Sequence, residues 1–336
     1  MSFISIGDLS SSMRLRFLNA DLKSRIGTLS TELASGKFSD QAKHLGGNLS
    51  RLGSVTRAMQ TLEGFRISNS ELTARGGDLQ SSLAMVQQAT KEAGAKAVTG
   101  ANTQTAASIG SSASAAEQAL ETVVSAFNTK TAGRSLFAGQ ASNSGALISA
   151  PEILDELSVL VSGLSTAGDV EAVIDDYFNL TGGGFETSAY LGSVNPPGDV
   201  RISETETAGF AVSANAQGAR DAISGLATAA LLGRGILAGD LGEQSLLLKS
   251  AGEGMLSATE GIVSLRAEIG AVQARLEVVE VANSVRKTTL ELELKNMVSR
   301  DGYETATELQ STEISLEALY LTTSRLSQLS LSRYLR

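Results

Sequence analysis

The chain has 336 residues, of which 42% are hydrophobic but only 4% aromatic, and it contains no cysteine or tryptophan. Without cysteine there can be no disulfide framework, thiolate metal ligand or cysteine nucleophile, and a single histidine leaves little room for histidine-based catalysis. The formal net charge of -9 argues against broad contact with nucleic acid, because such contact needs lysine and arginine to neutralise phosphates.

The prolines divide the chain into two long terminal stretches and a middle. Only Pro151, Pro196 and Pro197 are present. Proline breaks helices because it lacks the N–H group and clashes with the preceding turn. We therefore expect long helices at both ends and an irregular insert between them. No run of about 18 apolar residues is present, so we expect no membrane span, and the first residues lack the basic and apolar regions of a cleaved secretory signal.

The N-terminal stretch has helical periodicity. Apolar residues recur there at intervals of three or four: Leu18, Leu22, Ile26, Leu29 and Leu33. This spacing predicts one face of an α-helix, with Gly36 as its end. Two further helical runs lie at 72–86 and 109–127. We expect Gly94, Gly100 and Gly110 to weaken the join between them, because glycine in a helix costs about 1 kcal/mol relative to alanine.

The middle of the chain reads as a small α+β domain. Apolar residues at 153–160 and 170–178 predict two short helices, and Gly182-Gly183-Gly184 then breaks the chain. Short alternating runs follow at 185–191 and 200–212, where Val200 to Ser203 and Phe210 to Val212 predict strands.

The C-terminal stretch carries the clearest heptads. Its apolar residues are spaced by four and three: Leu265, Ile269, Val272, Leu276 and Val279. A period of 3.5 residues indicates a left-handed coiled coil. A last helix is predicted from about Tyr303 to Leu329, and apolar side chains crowd its end at Leu326, Leu329, Leu331, Tyr334 and Leu335.

These patterns predict a mainly α fold, in which long antiparallel coiled-coil helices from both termini accompany a small α+β insert domain. The expected segments are an N-terminal helical arm at 1–140, the insert at 141–215, and a C-terminal helical arm at 216–336 that packs on the first arm. Apolar seams at both termini need a partner, and each other or copies of the same chain are the economical choice.

Candidate catalytic and binding motifs are weak. The Gly233–Gly239 segment fits a loose dinucleotide-binding pattern, but no strand precedes it, so a helix break or a packing site of small residues is favoured. His44 lies in a polar stretch without a second ligand, which favours a surface histidine over a metal site. Acid pairs such as Asp175-Asp176 are typical of solvated faces. We expect no enzyme activity, no cofactor, no metal, no nucleic-acid partner and no membrane partner.

Several motifs resemble the bacterial flagellin family. They are 14–19, 22–29 and 33–37 near the N-terminus, the R-x-x-x-G-A-x-x-x-R-L pattern from Arg266 to Leu276, and the closing helix from Asp301 to Leu335. The R-x-L-F-A-G pattern from Arg134 to Gly139 and the S-L-x-x-Y-L ending resemble the branch of hook-associated junction proteins (FlgL type). Residues 38–42 depart from the pattern of filament flagellins. The resemblance covers about 10–140 and 216–336.

The resemblance implies a structural subunit of the bacterial flagellum. Such a protein is secreted through the flagellar type III apparatus and polymerises at the hook–filament junction through terminal coiled-coil helices. Its implied partners are copies of itself, a neighbouring hook-associated protein, flagellin and an export chaperone. The residues expected to mediate assembly are apolar: Leu18, Leu22, Ile26, Leu29, Leu33, Leu265, Ile269, Val272, Leu276, Leu326, Leu329, Leu331, Tyr334 and Leu335. Filament flagellin is the alternative, and a cytoplasmic coiled-coil adaptor is a further one.

Overall fold

The computed structural model describes the backbone of residues 6–334 and the side chains of 10–326 and 328. The helices are α1 (Ile6–Ser35), α2 (Gln41–His44), α3 (Ser50–Thr103), α4 (Ala106–Phe127), α5 (Ala150–Leu160), α6 (Ala167–Asn179), α7 (Gln217–Leu231), α8 (Leu241–Val298) and α9 (Gly302–Tyr334). The strands are β1 (Lys130–Thr131), β2 (Arg134–Ser135), β3 (Val200–Arg201) and β4 (Thr207–Ala208). Long helices from both ends and two small antiparallel sheets confirm the predicted mainly α fold.

The chain forms two compact units. The terminal unit consists of residues 1–62 and 285–336, and the central unit of 63–284. The three segments expected from the sequence, at 1–140, 141–215 and 216–336, stay a prediction.

Helix ends follow local chemistry. Gly36 adopts a left-handed conformation, with φ of 66°, directly after α1, and glycine takes this conformation at little cost. At the start of α5, the Ser149 hydroxyl accepts a hydrogen bond from the Glu152 N–H, and the Glu152 carboxylate accepts one from the Ser149 N–H. This reciprocal pair satisfies two backbone donors that a helix start otherwise leaves free.

The join expected between the two helical runs lies at Gln104, and not at the glycines. Helix α3 runs unbroken through Gly94 and Gly100 and ends at Thr103, and Gln104 then takes a positive φ of 51°. A Cβ on Gly94 would lie 3.1 Å from the Gly252 carbonyl oxygen of α8. Close packing of α3 on α8 therefore offsets the low helix propensity of glycine.

The core of the central unit is built from helices and capped by a hairpin. Leu79 and Leu83 of α3 are fully buried, as are Leu120 and Phe127 of α4. Helices α3 and α8 run antiparallel here, because Gln80 donates to the Arg266 carbonyl at 2.8 Å while Gly94 lies beside Gly252. The hairpin pairs Thr131 with Arg134 through a two-residue turn.

The R-x-L-F-A-G segment begins in strand β2 of the hairpin and then enters this core. Phe137 is fully buried and meets the Phe127 ring edge-on, with centroids 5.2 Å apart. Gly139 has a φ of 60°, and a Cβ there would lie 2.6 Å from the Asn195 carbonyl oxygen. Both the conformation and the close approach therefore require glycine at this position.

The insert contains both helices and strands, as predicted, but two of its elements differ from the expectation. Helices α5 and α6 match the expectation, but Phe185–Ala189 forms a π-helical turn rather than a strand. The reason is aromatic burial, because the turn places the Phe185 ring 5.2 Å from that of Phe178. The second strand forms at Thr207–Ala208 instead of Phe210 to Val212, since Phe210 and Val212 are buried in the core.

Candidate assembly surface

Helices α1 and α9 lie side by side in the terminal unit and run antiparallel. Along α1, Lys23 lies over the Tyr320 ring, with its nitrogen 6.0 Å from the ring centroid, and Arg25 lies 3.8 Å from the Glu308 carboxylate. Glu32 then approaches Arg300, just before α9. The residue numbers of the contacted side chains fall as the residue numbers along α1 rise, so the two helices are antiparallel. Segments near the two ends of the chain thus form one helix pair.

The predicted N-terminal seam divides between two faces of α1. Leu29 is buried, and Leu22 and Ile26 are half-buried, on the face toward α9. Leu18 and Leu33 are 45% and 39% exposed. Positions on the inner face that the pattern did not include are Leu15, Asn19 and Glu32. Part of the predicted seam therefore joins α1 to α9, and part stays on the surface.

The helix pair leaves large apolar side chains uncovered. On α1 these are Met13 and Phe17, with exposures of 59% and 71%. On α9, Ile314, Leu321 and Leu326 are 54–63% exposed. Several large exposed apolar groups on the two helices of one pair are compatible with an interaction surface. We call these five residues the uncovered apolar set.

The face of α9 that packs against α1 contains few large apolar side chains. Thr305 and Thr312 are buried there, and Leu316 and Leu319 are half-buried. The α1–α9 pair therefore buries few large side chains, and an isolated pair of this kind is only marginally stable. Contact with further helices would stabilise it.

The heptad residues of α8 lie inside the central unit. Ile269, Leu276 and Val279 are buried, and Leu265 and Val272 pack partly buried against the same core. Their first effect is thus to stabilise that unit, and their part in assembly stays a prediction. Of the predicted tail residues, Leu335 and the side chains of Leu329, Leu331 and Tyr334 lie outside the described residues.

A polar cluster lies at the end of the helix pair where α1 stops and α9 begins, and the sequence patterns did not reveal it. The Arg300 guanidinium donates to Glu32 at 2.7 Å and to Glu308 at 2.8 Å. Glu32 is only 5% exposed. No periodicity reveals this contact, because Arg300 and Glu32 are 268 positions apart in the sequence.

The structure adds no catalytic or binding partner to the weak motifs identified in the sequence. His44 is exposed and stacks on Phe38, with ring centroids 3.7 Å apart. Gly235 and Gly239 have positive φ angles between α7 and α8, which confirms the predicted helix break. Among the side chains that the structure describes, no cluster of acidic and histidine groups could hold a metal ion. No helix among residues 6–334 is long and apolar enough to cross a membrane.

The insert carries a second apolar surface in an acidic setting. Residues 135–200 contain nine Asp or Glu and no Lys or Arg. A groove between α5 and α6 is lined by Val159, Leu160 and Leu180, which are 50–76% exposed. The insert is therefore the most negatively charged part of the chain.

Comparison with known proteins establishes the fold. No protein-family model matches the sequence, and no curated protein matches it. A solved protein from Vibrio parahaemolyticus, described as a flagellar hook-associated protein, matches with a TM-score of 0.53 and 12% identity, over 73% of this chain and 95% of the other. FlgL of Bacillus cereus matches with a TM-score of 0.52 and 15% identity, over 72% and 98%. The chain thus has the fold of these flagellar proteins, and the predicted resemblance is confirmed at the level of the fold.

Proposed function

We propose that this chain is a structural subunit of the bacterial flagellum that polymerises at the hook–filament junction through its terminal helices. The observation that carries the proposal is the pairing of α1 with α9 in a fold shared with hook-associated proteins. No catalytic residue or cofactor belongs to this function. Its partners are copies of the chain, a neighbouring hook-associated protein and flagellin, with an export chaperone before secretion.

The uncovered apolar set supplies the driving force for assembly. Apolar burial is worth about 25 cal/mol per Å² removed from water. Burying several side chains such as Phe17 and Leu321 between subunits would therefore contribute several kcal/mol. Because the helix pair buries little by itself, stabilisation by neighbours couples its folding to polymerisation.

Removal of the gene and localisation of the protein test this function. Without a junction protein, we expect cells with bare hooks that release flagellin monomers into the medium and do not swim. A tagged copy should restore motility and label a short zone between hook and filament.

The same experiment separates the alternatives. Label along the whole filament, together with loss of secreted flagellin in the deletion, would identify a filament flagellin. Label that stays inside the cell, with normal filaments in the deletion, would identify a cytoplasmic adaptor and contradict the proposal.

A further inference from the structure

Arg300 uses every side of its guanidinium group at the base of the α1–α9 pair. Its Nη1 donates to Glu32 Oε2 at 2.7 Å, its Nη2 to Glu308 Oε2 at 2.8 Å, and its Nε to Thr305 Oγ1 at 3.0 Å. The side chain is only 15% exposed. Such a fork of charge-assisted hydrogen bonds requires one relative position of its partners.

The surrounding contacts connect this fork to the backbone of both approaching segments. The second Glu32 oxygen accepts the Ser39 N–H at 2.8 Å, and the Phe38 ring lies under the guanidinium at 5.1 Å. The Arg300 N–H donates to the Gly36 carbonyl at 3.0 Å. The cluster therefore joins the end of α1, the segment after it, and the first turn of α9.

The apolar contacts of the pair define its register only weakly. Helix α1 has apolar side chains on more than one face, with Leu22 and Ile26 toward α9 and Phe17 and Leu18 exposed. Apolar side chains of similar size can replace one another when a helix slides by one turn. The Arg300 fork cannot follow, since one turn moves Glu32 by about 5.4 Å.

We propose that Arg300 is a positioning residue that sets the register in which α1 pairs with α9. Buried polar groups are well suited to this task, because they specify register at some cost in stability. The role rests on the proposed function only in so far as the paired helices form the polymer surface. A fixed register would give every subunit the same uncovered apolar set.

The test measures register directly with spin labels. The native chain has no cysteine, so Ser30→Cys and Ser324→Cys introduce two unique labelling sites, both exposed and on α1 and α9. Ser30 lies next to Glu32, which shares Arg300 with Glu308, and Ser324 lies about four turns beyond Glu308. The label separation therefore runs mostly along the helix axes, and a slide of one turn changes it by nearly its full rise of about 5.4 Å. Polymer is formed from labelled chains diluted in unlabelled native chains, so that only distances within one chain are observed.

Three substitutions are compared in this background. Arg300→Met removes the fork, Arg300→Lys keeps the charge, and Arg25→Met is the matched control. Arg25 contacts the same Glu308, but at 3.8 Å and with 59% of its side chain exposed. For a variant that does not enter the polymer, the distance between the labels is measured on the soluble protein and compared in the same way.

We expect one narrow distance in the unsubstituted chain and in Arg25→Met, and a second or broadened distance in Arg300→Met. Arg300→Lys should show an intermediate population. A single unchanged distance in Arg300→Met, even with a lowered melting temperature, would overturn the proposal, because Arg300 would then only add stability. If the unsubstituted chain does not polymerise, the proposed function fails, and the soluble chain decides the register question by the same labels.

Discussion

Two glycines allow α7 and α8 to touch backbone to backbone in the central unit. A Cβ added to Gly218 would lie 2.6 Å from the Gly261 carbonyl carbon, and one added to Gly261 would lie 2.8 Å from the Gly218 Cα. Backbone atoms cannot move aside as the end of a flexible side chain can. Both positions therefore need glycine for packing, whatever its helix propensity.

Gly218→Ala should lower the free energy of unfolding by about 1–3 kcal/mol, the usual cost of overpacking. Gly254→Ala is the matched control, since it lies inside α8 and a Cβ there meets nothing within 4 Å. We expect Gly254→Ala to raise stability by about 0.5–1 kcal/mol, because alanine favours the helix. Urea unfolding of the two variants measures both effects, and equal changes in both would contradict the packing argument.

Tyr177 makes the insert sensitive to alkaline pH. Its hydroxyl donates to Glu156 Oε2 at 2.6 Å, and burial followed by this hydrogen bond raises the pKa of Tyr177 above its ordinary value of 10.0. The unfolded chain releases this proton near pH 10 while the folded chain retains it. The free energy of unfolding should therefore decrease as pH rises above about 10.

Tyr177→Phe should flatten this decrease while lowering stability near neutral pH through the lost hydrogen bond. Tyr303→Phe serves as the control, because Tyr303 is 86% exposed. Urea unfolding between about pH 8 and 11 provides the measurement. An unchanged alkaline slope in Tyr177→Phe would show that other groups dominate it.

At the scale of elements, helix α8 carries buried apolar residues of the heptad seam and exposed apolar residues outside it. Ile269 is fully buried, whereas Val278 is 70% exposed. Ile269→Asp places a carboxylate in the core and should destabilise the central unit by roughly 3 kcal/mol or more. Val278→Asp should change stability by no more than about 0.5 kcal/mol. A thermal melt that Ile269→Asp leaves unchanged would refute the heptad assignment.

Elements with strong periodicity were predictable, and short ones were not. The heptads around Ile269 gave α8, and the proline-free stretches indicated the long helices. The π-helical turn at Phe185 and the strand at Thr207–Ala208 were missed, because burial of Phe185 and Phe210 outweighs alternation over a few residues. The continuous path of α3 through Gly94 depends on contact with α8, which local propensity does not include.

At the scale of the whole molecule, the C-terminal tail should control assembly. Deleting residues 326–336 removes the apolar residues that crowd the last stretch of the sequence, including the exposed Leu326 of α9. We expect an unchanged thermal melt of the central unit, because its residues, 63–284, are untouched. We also expect continued export but no incorporation between hook and filament, so that cells release flagellin and do not swim. Normal filaments and swimming would contradict an assembly role for the tail.

The candidate surface was predictable in part for the same reason as the helices. Leu22, Ile26 and Leu29 are spaced regularly within one helix, so their common face follows from the sequence alone. Tertiary structure decided that α9 covers this face and that Leu18 and Leu33 remain exposed. It also decided where Arg300 meets Glu32, a contact between positions 268 apart. Periodicity reports the geometry of one helix, whereas pairing and register depend on energies between distant segments, which no local pattern contains.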